Sequence, residues 1–90
     1  MIITTSWDDG HPLDYKLVAL LEKYDIKATF YIPLANTENS VMERSQMKEV
    51  SKYHEIGGHT VNHIYLNKLT ELEVKNEINN CKSELENLLV

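Results

Sequence analysis

Apolar and polar positions along the chain change their period several times, and each change marks an element. Ile2-Ile3-Thr4-Thr5-Ser6-Trp7 is β-branched and aromatic, which predicts a short strand. Asp8-Asp9-Gly10-His11-Pro12 breaks it with turn chemistry. From Pro12 onward Leu13, Leu17, Leu20, Leu21 and Tyr24 recur at helical spacing. Pro12 suits the first turn of that helix, where its missing N–H costs nothing. Asp25 is the expected stop, and Lys27-Ala28-Thr29-Phe30-Tyr31-Ile32 reads as a second strand ended by Pro33.

Residues 34–44 are polar and aperiodic, the pattern of a loop. Ser45 is the expected N-cap of a short helix carrying Met47, Val50 and Tyr53 on one side. Glu55-Ile56-Gly57-Gly58-His59-Thr60 makes a poor helix, because paired glycines lose too much backbone entropy in one. It reads as a third short strand opening into a loop. Thr70 and Glu73 then form a capping box. Beyond it Val74, Ile78, Cys81, Leu85 and Leu88 step along one face, so Cys81 is expected to be a buried small hydrophobe.

The order is strand, helix, strand, helix, strand, helix. Repeating βα units predict an α/β fold with a parallel sheet or part of a barrel. At about 30 residues per unit the chain holds three units, all in residues 1–90 as a single partial domain. Three parallel strands do not close a barrel, and the two edges left unpaired could join another copy into a homo-oligomer.

Composition narrows the function classes. The chain carries nine basic and fourteen acidic residues for a net charge of -5, a sign that repels phosphate backbones and excludes general nucleic-acid binding. No apolar run approaches the roughly 20 residues of a membrane span. A single cysteine cannot form an internal disulfide. No basic, apolar leader is visible at the N-terminus, which points to the cytoplasm.

Two clusters carry candidate chemistry, and both follow strands. Asp8-Asp9-Gly10 places adjacent carboxylates after the first strand. Such a triplet is common in solvated turns, and the same carboxylates could equally meet a cation. His59-Thr60-Val61-Asn62-His63 follows Gly57-Gly58 after the third strand. Two histidines at that spacing are often plain surface residues, but they can also share one metal ion. In parallel βα folds functional groups gather at the carboxyl ends of the strands, which would put both clusters on one rim. An aspartate and two histidines would then leave a coordination position for water, with the second aspartate free to take its proton.

Thr5-Ser6-Trp7-Asp8-Asp9-Gly10 resembles the first motif of the polysaccharide deacetylases (carbohydrate esterase family four, the chitooligosaccharide deacetylase homology domain). His59-Thr60-Val61-Asn62-His63 is similar to their second motif, His-Ser/Thr-x-x-His, and Ala28-Thr29-Phe30-Tyr31 resembles the strand between. The family more often has Phe where Trp7 stands. The resemblance implies a deformed (β/α) barrel and a divalent metal, often zinc, that serves hydrolysis of N-acetyl or O-acetyl groups on sugars. It implies Asp9, His59 and His63 as metal ligands, Asp8 as catalytic base and Thr60 as a residue that steadies the metal loop through hydrogen bonds.

The family's later motifs, including the Leu-x-His that supplies a general acid, do not occur before Val90, so the chain corresponds to the amino-terminal part. Two other readings stand beside a deacetylase: a non-catalytic metal-binding or assembly module, and a hydrolase of another non-peptide C–N bond on the same scaffold. Trp7, His11 and Tyr31 are candidate pocket residues, although His11 also suits helix capping and Trp7 and Tyr31 also suit core packing. His54 ends a helix, where the dipole would favour a partly charged ring. The glutamates of the last helix read as a solvated face.

Overall fold

The computed structural model describes residues 1–90. Strands β1 (Thr5–Asp8), β2 (Ala28–Ile32) and β3 (Glu55–Gly58) form one parallel sheet in the order β1-β2-β3. Helices α1 (Asp14–Lys23), α2 (Arg44–Ser51) and α3 (Glu71–Leu89) alternate with them, and a 3₁₀ turn spans Leu66–Lys68. The chain is three βα units, as its periodicity predicts.

Period-two alternation gives the sheet two different faces. Ala28, Phe30 and Ile32 of β2 point into the core, where Phe30 and Ile32 are fully buried. Val18 and Leu21 of α1, Met47 and Val50 of α2, and Cys81 and Leu85 of α3 complete that core. The opposite face carries Tyr31 and, in register with it, Asp8 and Gly57. A Cβ on Gly57 would lie 2.7 Å from the Tyr31 ring, whereas one on Gly58 would face Cys81 Sγ at 3.2 Å, so the ring lies across Gly57 on the side away from α3. Tyr31 is 39% exposed there and is not a core residue.

Local signals fix most helix ends. Asp25 adopts φ 54°, and the Ile26 N–H donates to Leu21 O at 2.9 Å, closing α1 with a left-handed cap. Thr70 Oγ1 accepts from the Glu73 N–H at the start of α3. The start of α2 differs from the sequence expectation. Glu43 is its N-cap, its N–H donating to Gln46 Oε1 at 2.9 Å, and Ser45 lies inside the first turn. The preceding loop supplies a core residue, Met42, whose N–H is tied to Gly10 O at 2.8 Å. Tyr53 lies beyond α2, half exposed, with the Lys27 ammonium 3.5 Å from its ring centroid.

His54 corrects the helix-dipole reading. It is buried, and its Nδ1 accepts the Ala28 N–H at 3.0 Å, which pins the start of β2 to the end of α2. That bond needs a bare Nδ1 and puts the proton on Nε2, 4.0 Å from Glu22 Oε1. Burial holds the imidazole below its ordinary pKa; Glu22 opposes the shift and Lys27 adds to it. A base depressed in the folded state binds more protons when unfolded, so folding loses free energy as pH falls. Stability is therefore expected to be full above about pH 6.5 and to decline below it by no more than about 1.4 kcal/mol per pH unit from this group. Urea melts at pH 7.5 and 5.5 check this, and in His54→Gln the slope in that window should flatten.

Candidate metal centre

The first site loop begins where β1 ends. Asp8 is the last strand residue, and the Asp9 N–H continues the ladder by donating to Tyr31 O at 2.9 Å. The chain then turns through left-handed backbone at Asp9 (φ 77°) and Gly10 (φ 59°). Gly10 is required twice over. A side chain is strained at that φ, and its Cβ would lie 2.7 Å from Cγ2 of the fully buried Ile32. Gly10→Ala is expected to destabilise the chain by about 2–4 kcal/mol, combining left-handed strain with overpacking. A shift of the urea midpoint with an unchanged slope would measure it.

The second loop follows β3. Thr60 (φ 65°) and His63 (φ 55°) are also left-handed. Thus four of the five positive-φ residues in the chain belong to the two loops of this site. Such strain persists only where surrounding bonds hold it. Thr60 Oγ1 accepts the His63 N–H at 2.9 Å, and Val61 O accepts the Ala35 N–H at 2.8 Å. Glu77 of α3 closes the loop from the other side. Its Oε2 accepts the Val61 and Asn62 N–H groups at 2.9 and 3.0 Å, and its Oε1 accepts from Asn62 Nδ2 at 2.7 Å.

The loops meet at Asp9. Its Oδ1 lies 2.9 Å from His63 Nε2 and 3.1 Å from His59 Nε2, with the two imidazole centroids 5.2 Å apart. One ligand atom from each of the three residues lies within 4.8 Å of the others. Donors bound to a tetrahedral ion at about 2.0–2.2 Å sit about 3.3–3.6 Å apart, so a cation asks Asp9 Oδ1 to sit only a few tenths of an ångström further from each imidazole nitrogen. His63 Nδ1 is buried without a partner, leaving Nε2 as the ring's outlet to another group. Two imidazole nitrogens and a carboxylate suit zinc or a similar divalent ion.

The other named residues surround this centre unevenly. Asp8 is exposed on the uncovered sheet face. His11 Nδ1 accepts the Leu13 N–H at 3.0 Å, a capping role before α1. Asp14 lies behind the first loop: burial pushes its carboxyl up, His11 pulls it down and Asp9 raises it further. Trp7 is 39% exposed and shares the register of Phe30. An open cavity of about 840 Å³ adjoins His59, Thr60 and His63 and is walled by Ile64, Ile78 and Cys81; Trp7, His11 and Tyr31 do not line it. Burial raises the Cys81 thiol pKa, which keeps the sulfur protonated beside the loop.

Glu77 is the residue that sequence reasoning passed over. Its one available signal was its place four residues before the buried Cys81, where a glutamate faces inward instead of joining the solvated side.

The family model for polysaccharide deacetylases matches residues 1–90. The chain belongs to the polysaccharide deacetylase family. It is 34% identical over 80 residues to a peptidoglycan-N-acetylglucosamine deacetylase of Bacillus cereus, covering 86% of this chain and 36% of that protein. The Streptococcus pyogenes deacetylase PplD, solved in complex with acetate, superposes with a TM-score of 0.83 at 27% identity, over 93% of this chain and 39% of that one. The Bc1960 peptidoglycan N-acetylglucosamine deacetylase, solved with 4-naphthalen-1-yl-N-oxidanyl-benzamide, gives a TM-score of 0.77 at 30% identity, over 94% of this chain and 40% of that one. The chain therefore spans well under half the length of these deacetylases. The three-stranded parallel sheet lies within the part of the fold that this chain shares with them.

Proposed function

We propose that residues 1–90 build the metal-holding part of a site that removes acetyl groups from N-acetylated, or O-acetylated, sugars of a polysaccharide such as peptidoglycan. The convergence of Asp9, His59 and His63 at the carboxyl ends of β1 and β3 carries this reading. Relatives that act on peptidoglycan N-acetylglucosamine support the substrate class, and acetate, held by PplD, is the acid such a reaction releases.

Asp9, His59 and His63 would hold one divalent ion, zinc by the character of the donors. That ion would supply Lewis acidity to a water and to the acetyl carbonyl. Asp8, next in the chain to a ligand but outside the donor set, accepts the proton of the attacking water as its oxygen bonds to the acetyl carbon. The acetyl bond to the sugar nitrogen or oxygen then breaks, acetate is released, and the sugar amine or hydroxyl leaves with a proton. Asp9 would give its charge to the ion, so two adjacent carboxylates take different roles. Thr60 holds the His63 backbone and so fixes the approach of the second imidazole.

Calorimetric titration of the chain with zinc tests the reading: one ion per chain is expected, with Asp9, His59 and His63 each required. Titration without binding overturns it.

A further inference from the structure

The loop between the two histidines is held from one side by a single carboxylate. Glu77 uses both oxygens on it, accepting two backbone N–H groups and one side-chain N–H from Val61 and Asn62, the residues between Thr60 and His63. No backbone carbonyl accepts from those two amides, and Glu77 Oε2 is the side-chain acceptor of both. The loop also stores left-handed strain at Thr60 and His63, which it would relieve if released. A carboxylate accepting backbone N–H groups makes charge-assisted bonds, the strong kind. Its helix is anchored by the buried Cys81 one turn later, so the clamp stands on a rigid support.

We infer that Glu77 is a positioning residue: from α3 it sets the His59–His63 loop in the conformation that aims both imidazoles at Asp9, and so tunes the affinity of the centre for a divalent ion. The inference rests on the metal reading above and adds a residue outside both sequence motifs. Glu77 touches no donor atom of the centre. It acts through the backbone of Val61 and Asn62.

The test compares the wild-type chain with Glu77→Met, which keeps the bulk but has no acceptor oxygen, and Glu77→Gln, which keeps one oxygen for the two backbone donors. Zinc affinity is read by calorimetry, and the exchange of the Val61 and Asn62 amides by NMR in zinc-free protein. Glu77→Met should bind zinc about 10–100-fold more weakly and lose protection at both amides, while helical circular dichroism stays unchanged. Glu77→Gln should stay within about threefold of wild type, because the backbone bonds survive. A role confined to stability would lower the melting temperature and leave the affinity of the folded chain alone. Equal zinc affinity in wild type and Glu77→Met overturns the proposal and spares the metal reading. Retained amide protection in Glu77→Met overturns it as well. A wild-type chain that binds no zinc overturns both.

Discussion

Asp9→Asn is expected to weaken zinc binding by more than about a hundredfold, beyond what losing a supporting residue costs. The substitution is chosen for the backbone. Asp9 sits at φ 77°, where alanine would add strain of its own, whereas asparagine tolerates left-handed geometry. The loop should therefore persist, and the change isolates the charge. Asp9 Oδ1 is the atom that both imidazoles share, at 2.9 and 3.1 Å, so removing its charge removes the anionic donor from a set of three. An ion present at a hundred times its dissociation constant adds about 2.7 kcal/mol to the folded state. The wild-type chain should accordingly melt at a higher temperature with zinc than without it, and Asp9→Asn should show no such rise. Calorimetry and paired thermal melts measure both effects. A variant that binds as tightly as wild type would remove Asp9 from the donor set.

The same substitution shows why some of this centre could be read from the sequence. Asp9-Gly10 and His59-x-x-x-His63 are contiguous motifs, and βα alternation alone predicts that both lie at strand ends. What brought them together is the parallel register, which puts β1 and β3 on either side of β2 with their carboxyl ends aligned. Signals confined to one turn of chain were equally legible: the left-handed stop at Asp25 and the Thr70 cap are local chemistry.

Features that depend on distant partners were not legible. Met42 sits in a polar, aperiodic stretch, yet its side chain joins the core cluster and its N–H bonds to Gly10 O across the fold. His54 follows a helix in sequence, but its partner is the Ala28 amide on a neighbouring strand. Glu77 looked like one of many solvated glutamates, and only the loop folding back against α3 gives it three donors. Apolar periodicity also overstated burial. Leu13, Leu20 and Tyr24 of the α1 stripe are exposed, as is Ile78 in α3 at 49%, while Val18, outside the expected stripe, is core. Helical spacing gives the face of an element. How far the rest of the fold covers that face is a tertiary fact.

Asp8→Asn is the complementary case and separates catalysis from metal binding. In any active protein built on this segment it is expected to lower the rate of acetate release by about 10²–10⁴-fold, the usual contribution of a positioned general base. Its amide has the shape of the carboxylate but cannot take a proton from water. Asp8 is exposed, on the sheet face away from the core, and belongs to no donor cluster, so folding and zinc affinity should both match wild type. The loss should fall on kcat, because the proton moves only in the reacting complex, and KM should change little. Asp9→Asn, by contrast, should lose activity and zinc together. Measuring zinc content and acetate release on the same samples distinguishes the two neighbouring aspartates. Full activity in Asp8→Asn would reassign the base to another residue, and parallel loss of zinc would make Asp8 a ligand. The expected pattern, activity gone with the ion retained, follows from a strand whose last residue faces the open side of the sheet while the next turns left-handed toward the histidines.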